Sequence, residues 1–169
     1  MAITRRHLLA ASAGIAAAAA VCAGGIGIRW WDAPPGAGRV NLSDDEAALV
    51  RALSGAAFPA GKFIELSGGD VNLDRFFDAM LSGMPKLTGD LLKLLTNALE
   101  HFTLATHGTR YSVLSLADQQ AQLDGWLTSD RHELRGAVQS VVILLGMGYT
   151  THPEVAALIS PWHGCGYGR

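Results

Sequence analysis

Apolar residues recur at helical spacing through most of this 169-residue chain, and no segment shows sustained alternation with period two. This pattern predicts an all-α domain over residues 42–148, an irregular or orthogonal bundle of about five helices. Four of the expected helices have a clear apolar stripe facing the core. These stripes are Leu42, Ala47, Val50, Leu53 and Ala57; Leu73, Phe76, Phe77, Met80 and Leu81; Leu91, Leu95, Ala98 and Phe102, with Leu92 and Leu99 beside them; and Leu134, Val138, Val141 and Leu145.

Capping signals indicate where these helices begin. Ser43 is followed three residues later by Glu46, which is a capping box, and Ser115 with Asp118 has the same arrangement. The last long helix is apolar almost all round at residues 142–144, so it is expected to lie centrally or under a partner protein. The remaining helices are expected to open at Asn72, at Thr88, and at Ser129 or Asp130.

The first 28 residues are predicted to be separate from this domain. A paired arginine, Arg5-Arg6, stands before Leu8-Leu9 and an uncharged Ala- and Gly-rich stretch that reaches Ile28. A paired arginine before a weakly hydrophobic core is typical of a bacterial twin-arginine export signal. The alternatives are an ordinary secretory signal or an N-terminal anchor, because the uncharged stretch is just long enough to span a bilayer.

A twin-arginine signal predicts export to the periplasm by the twin-arginine translocase, which moves proteins that are already folded. We expect the signal to be cleaved near Ala23; if it is retained, residues 8–28 would anchor the chain to the inner membrane. Residues 29–41 are rich in Pro and Gly and are expected to form a linker. Export in the folded state implies that this chain, or a protein bound to it, folds in the cytoplasm first.

The charge balance bears on the class of partner. The chain has 13 Lys and Arg against 15 Asp and Glu, and two of the arginines belong to the predicted signal. A mildly acidic chain without a basic cluster argues against nucleic-acid binding. Charged residues make up only 17% of the chain and apolar residues 49%, which predicts an apolar surface covered by a partner protein in addition to the signal.

Residues 149–169 combine aromatic, His and Cys residues with many glycines and show no helical period. We predict that they form an extended aromatic tail that docks onto a partner protein. A metal site built from His152, His163 and Cys165 is the alternative, but this set falls short of a closed zinc site, so no bound metal is expected. The residues predicted to bind the partner are Tyr149, His152, Pro153, Trp162, Cys165 and Tyr167.

Several features of the chain occur together. They are the Arg5-Arg6 start, the sequence LSDDEAAL at residues 42–49, the Phe58-Pro59 break, and GYTTHPEV at residues 148–155. In this combination the chain resembles the gluconate 2-dehydrogenase subunit 3 family. The resemblance implies a small subunit of a periplasmic FAD-dependent sugar or alcohol dehydrogenase complex.

The same resemblance implies how the complex is assembled. Its large subunit, of the glucose–methanol–choline type, would carry FAD, lack a signal of its own and be exported as a passenger on this chain. A cytochrome c subunit often completes such complexes. No cofactor is expected on this chain itself.

The sequence contains no phosphate-binding glycine loop before a helix, no Cys-x-x-Cys-His haem motif and no Gly-x-Ser-x-Gly elbow. We therefore expect a non-catalytic subunit that escorts and stabilises a flavoprotein. The alternative function is a membrane-anchored helical metal-binding protein of the periplasm.

Overall fold

The computed structural model describes residues 33–61 and 64–159, and every regular element within them is helical. The protein has an all-α fold, as the apolar spacing predicts. The five predicted helices are present as α1, α2, α3, α5 and α6, and two short helices, α4 and α7, accompany them. The elements are α1 (Asp44–Ala57), α2 (Leu73–Gly83), α3 (Lys86–Phe102), α4 (Leu104–His107), a 3-10 turn (Tyr111–Val113), α5 (Leu116–Leu127), α6 (His132–Thr151) and α7 (Pro153–Ile159).

Helix α1 is the centre of the domain, because it packs against α2, α3, α5 and α6. Its start is the predicted capping box: the Glu46 N–H donates to Ser43 Oγ at 3.3 Å, and the Ser43 N–H donates to Glu46 Oε2 at 2.8 Å. Leu49 and Val50 are both buried although they are consecutive, so α1 buries more than one face. A helix surrounded in this way forms the core on which the other elements are arranged.

The end of the predicted linker is attached to α2. The buried Asp78 carboxylate accepts the N–H groups of residues 40–42 at 2.8 to 2.9 Å. Arg39 donates from Nη2 to the buried Asp74 carboxylate at 2.8 Å. The linker prediction is therefore wrong for residues 39–41. The Asp78 carboxylate accepts the backbone N–H groups of this segment, and the Asp74 carboxylate pairs with the Arg39 charge.

Helix α3 turns a different face to the core than its apolar stripe predicted. Leu91, Ala98 and Phe102 are exposed, whereas Leu99 is buried and Leu92 packs against the core. The predicted stripe is correct only for Leu95, which also packs against the core.

Polar side chains account for this rotation of α3. Lys93 lies 3.3 Å from the buried Glu46 carboxylate on α1, and its Nζ donates to the Asn41 carbonyl at 2.7 Å. Glu100 is buried and accepts from the Ser112 N–H at 2.9 Å. Because these contacts lie on the inward side, they hold the outer leucines toward solvent.

Helix α6 continues past the predicted end of the domain. It runs to Thr151, and α7 then buries Val155 in the core. The boundary predicted after Gly148 is therefore wrong, because the folded domain includes both helices. Among the described residues no single helix is long and apolar enough to cross a membrane; only α6 and α7 taken together reach that length and composition, and they are bent by 88°.

Candidate partner-docking surface

The structure describes part of the predicted docking tail. Tyr149 lies in α6, His152 follows that helix and Pro153 begins α7. The other predicted site residues lie outside the described residues: Trp162, His163, Cys165 and Tyr167 of the tail, and Arg5, Arg6, Leu8 and Leu9 of the signal.

Tyr149 belongs to the core of this chain. Its ring stacks on Phe58 with a centroid distance of 4.8 Å and an interplanar angle of 10°. Its hydroxyl donates to the Leu66 carbonyl at 2.7 Å. Burial raises the pKa of Tyr149, because the charged phenolate is disfavoured away from water. The side chain is thus used within the domain, and Tyr149 is part of a helix rather than of an extended tail.

Two glycines allow the end of α6 to lie close to aromatic rings. A methyl group at Gly148 would overlap the Phe76 ring of α2, and one at Gly146 would be 3.4 Å from Phe58. These glycines in the last turns of α6 therefore serve close packing. This packing fixes the direction in which the chain leaves α6.

His152 and Pro153 form the turn between α6 and α7. The His152 N–H donates to the Tyr149 carbonyl at 3.2 Å, and the His152 carbonyl accepts from the Ala156 N–H at 2.8 Å. Pro153 occupies the first position of α7, where its missing N–H costs nothing. The Nδ1 atom of His152 is buried and has no hydrogen-bond partner among the described residues.

The solvent-facing part of this region is apolar. Ile143 and Met147, one turn apart on α6, are 64% and 55% exposed. Leu158 on α7 is also exposed. These side chains, with Pro153, are the described residues of this region that a partner protein could contact. Large exposed apolar side chains of this kind are typical of surfaces that bind another protein.

A second outward apolar surface lies on α3, and three of its residues, Leu91, Ala98 and Phe102, had been predicted to face the core. Leu87, Leu91 and Leu94 are 72%, 56% and 50% exposed, and Ala98 and Phe102 follow them on the same side. We call these five residues the α3 seam. Their spacing of four, three and four residues from Leu87 to Ala98 was a usable signal, because it is the heptad pattern of helix–helix contacts.

The buried acidic side chains hold the fold together. Glu46 is shared between Lys93 and Asn97 of α3, with Asn97 donating to Oε1 at 3.1 Å. Glu100 accepts from both the N–H and the hydroxyl of Ser112. Such contacts satisfy the hydrogen-bonding capacity of a buried carboxylate and fix its position inside the protein. Glu46 thereby joins α1 to α3, and Glu100 joins α3 to the 3-10 turn.

Metal ligands do not cluster in the part of the chain that the structure describes. Within residues 33–61 and 64–159, no three His, Cys, Asp or Glu side chains are placed to hold one ion. His163 and Cys165 lie outside those residues, so a metal site that includes them stays a prediction.

No protein-family model, curated protein or solved structure matches this chain in comparisons with known proteins. The family resemblance stated from the sequence motifs therefore stays a prediction.

Proposed function

We propose that this chain is a non-catalytic small subunit that escorts a folded flavin-dependent dehydrogenase through twin-arginine export and stabilises it afterwards. The observation that carries the proposal is the occurrence of Arg5-Arg6 at one end and GYTTHPEV at residues 148–155 near the other. The partner would be of the glucose–methanol–choline type and would hold the FAD. A cytochrome c subunit would complete the complex, which would act in the periplasm.

Two structural features support a role in binding a protein. Buried Glu46 and Glu100 are engaged in contacts between elements, which suits a scaffold. Large apolar side chains stay exposed on α6 and α7, including Ile143, Met147 and Leu158. A protein that works alone rarely keeps so many exposed, since covering them is favourable by about 25 cal/mol per Å².

The proposal is tested by following this chain and its bound proteins in the native host. The full chain carries a C-terminal affinity tag and is compared with the double variant Arg5→Lys, Arg6→Lys. The translocase distinguishes guanidinium from ammonium groups, so the double variant should keep the chain, and the flavoprotein with it, in the cytoplasm. The matched control is Arg75→Lys, Arg131→Lys, which makes the same change at two exposed positions of the folded domain.

The proteins and metals that co-purify with the tagged chain distinguish the two candidate functions. A flavoprotein present in equal amount, retained in the cytoplasm only with the signal variant, is the expected result. Periplasmic delivery of the signal variant, or purification without a flavoprotein, would refute the proposal. The metal-binding alternative predicts instead bound zinc or copper that is lost in His163→Ala or Cys165→Ser.

A further inference from the structure

Helix α3 carries apolar side chains on two sides. Leu92, Leu95 and Leu99 face the domain. Lys93 and Glu100 face it as well and contact Glu46 and Ser112. Leu87, Leu91 and Leu94 are directed outward, and Leu87 is the most exposed large apolar side chain in the described residues. Because an uncovered row of leucines is unfavourable in water, this face is expected to be covered in the working protein.

The spacing of the seam residues indicates what kind of secondary structure packs on them. Leu87, Leu91, Leu94 and Ala98 occupy alternating d and a positions of a heptad, and the buried Thr96 lies on the opposite side of the helix. Side chains at these positions pack as knobs between those of another helix. The occupant is therefore a helix with a similar apolar row.

We propose that the α3 seam packs against the α3 seam of a second copy of this chain, with the two helices antiparallel. The two-fold axis would pass between Leu91 and Leu94. Leu91 would then pack beside Leu94 of the second copy, and Leu87 beside Ala98 of the second copy. In such a two-fold dimer the same surface of each chain forms the contact. Two-fold dimers are the commonest symmetric assemblies of proteins.

The charges beside the seam favour the antiparallel order. Asp90 and Asn97 both occupy g positions, and antiparallel pairing places Asp90 beside Asn97 of the second copy. Parallel pairing would instead place the Asp90 carboxylate beside Leu95 of the second copy. Asp90 also accepts a hydrogen bond from Lys86 at 2.8 Å on its own helix, so no like charges oppose each other across the antiparallel contact.

The size of the seam sets the strength of the dimer. In the antiparallel pairing the contact runs from Leu87 to Ala98, which is about 16 Å at 1.5 Å per residue. A contact of this length lies near the lower limit for a specific interface, about 1,000 Å² of total buried surface. We therefore expect a reversible dimer whose population depends on the concentration of the chain.

The geometry is tested by cross-linking the full chain in intact cells. In a background of Cys22→Ala and Cys165→Ser, single variants Leu94→Cys and Leu87→Cys are treated with a short bismaleimide. The two Leu94 positions would be about 4.5 Å apart along the helix axis and the two Leu87 positions about 16 Å apart. Leu94→Cys should give a cross-linked dimer and Leu87→Cys should not, whereas Leu87→Cys co-expressed with Ala98→Cys should.

A matched pair of charge substitutions tests the surface itself. Leu91→Glu, added to Leu94→Cys, should reduce the cross-linked dimer at least tenfold. Ile143→Glu makes the same change at an exposed apolar position on α6 and should leave it unchanged. Circular dichroism of both purified variants would establish that each remains helical.

Three outcomes would overturn the antiparallel dimer. Equal cross-linking at Leu87 and Leu94 would indicate parallel helices, and a product with a different protein would show that another chain covers the seam. No product from a folded Leu94→Cys chain would show that two copies do not pair there. None of these results depends on the flavoprotein. The dimer can therefore be refuted while the escort function holds, and the escort function can be refuted while the dimer holds.

Discussion

The ring of Tyr149, at the end of α6, stacks on the ring of Phe58, which ends α1, at a centroid distance of 4.8 Å. The contact joins the C-terminal part of the domain to its central helix. It also places the Tyr149 hydroxyl where it donates to the Leu66 carbonyl in the loop before α2. One side chain thus connects three parts of the chain that are far apart in sequence.

Replacing Tyr149 tests whether it belongs to the core. Tyr149→Ala should lower the free energy of unfolding by about 3 to 5 kcal/mol, because it empties a buried aromatic position. Tyr149→Phe should cost only about 1 to 2 kcal/mol, the effect of leaving the Leu66 carbonyl unpaired. Urea unfolding followed by tryptophan fluorescence measures both. A wild-type midpoint for Tyr149→Ala would show that the residue does not support the core.

Asp78 is predicted to hold the start of the domain. Asp78→Ala leaves the N–H groups of residues 40–42 without their acceptor and should cost about 3 kcal/mol of unfolding free energy. Asp44→Ala is the control, because Asp44 forms an ion pair with Arg39 but is largely exposed. It should cost less than about 1 kcal/mol. Equal losses in the two variants would contradict the attachment of this segment to α2.

Two glycines on α6 give opposite expectations for the same substitution. Gly148→Ala should destabilise the protein by about 1 to 3 kcal/mol, since the new methyl group overlaps the Phe76 ring. Gly136→Ala meets no atom within 4 Å and should stabilise the helix by up to about 1 kcal/mol. Thermal unfolding of the two variants provides the comparison. Stabilisation by both would mean that α2 and α6 are not in close contact.

Because Tyr111 is buried, the free energy of unfolding should fall in alkaline solution. Burial raises the pKa of Tyr111, and the negative charges of Glu100 and Asp124 raise it further. Above about pH 10 the unfolded chain releases this proton while the folded protein keeps it, so stability falls as the pH rises, by up to about 1.4 kcal/mol per pH unit. Below that pH the contribution is fully present.

The control for this pH effect is Tyr111→Phe. It removes the titrating hydroxyl together with its hydrogen bond to the Gln119 carbonyl, so its stability at neutral pH should be lower. Its stability should nevertheless depend less steeply on pH between about 9 and 11 than that of the wild type. Parallel curves for the two proteins would show that Tyr111 is not the responsible group.

The helical content was predictable from local signals. The Ser43–Glu46 capping box and the stripe containing Val138, Val141 and Leu145 depend on residues close in sequence, and the structure has them as expected. Such features form wherever the chain is helical, because their geometry is set within one or two turns.

The errors came from contacts between distant residues. Leu91 and Leu99 are equally apolar, and only the contacts of Lys93 and Glu100 with other elements decide which leucine is buried. The domain was predicted to end at Gly148, but this glycine packs against Phe76, which is remote in the sequence. Helical spacing contains no information of this kind.

A truncation separates the roles of the domain and the tail. A chain that ends at Ile159 keeps Tyr149 and Val155 in the core and should fold and be exported. It lacks Trp162, Cys165 and Tyr167, so it should lose the flavoprotein partner, as expected when a cluster of aromatic anchors is removed. Co-purification of the flavoprotein measures the loss. Retention of the partner by this chain would disprove docking through the tail.

A chain that ends at Gly148 is the companion of that truncation. It removes Tyr149 and Val155, both buried, and should be unfolded or degraded rather than only unable to bind. Limited proteolysis of the two truncated chains distinguishes these cases. A protease-resistant chain ending at Gly148 would show that α7 is dispensable for the fold.

The attachment of residues 40–42 to Asp78 has a consequence for synthesis on the ribosome. The acceptor follows the Leu42 donor by 36 positions, so a growing chain exposes its amino-terminal part long before the carboxylate that holds it has emerged. Domains generally complete their folding as units during or after translation. The point where the amino-terminal segment leaves the domain is therefore defined only once α2 is made, and a nascent chain that stops short of it has no fixed start.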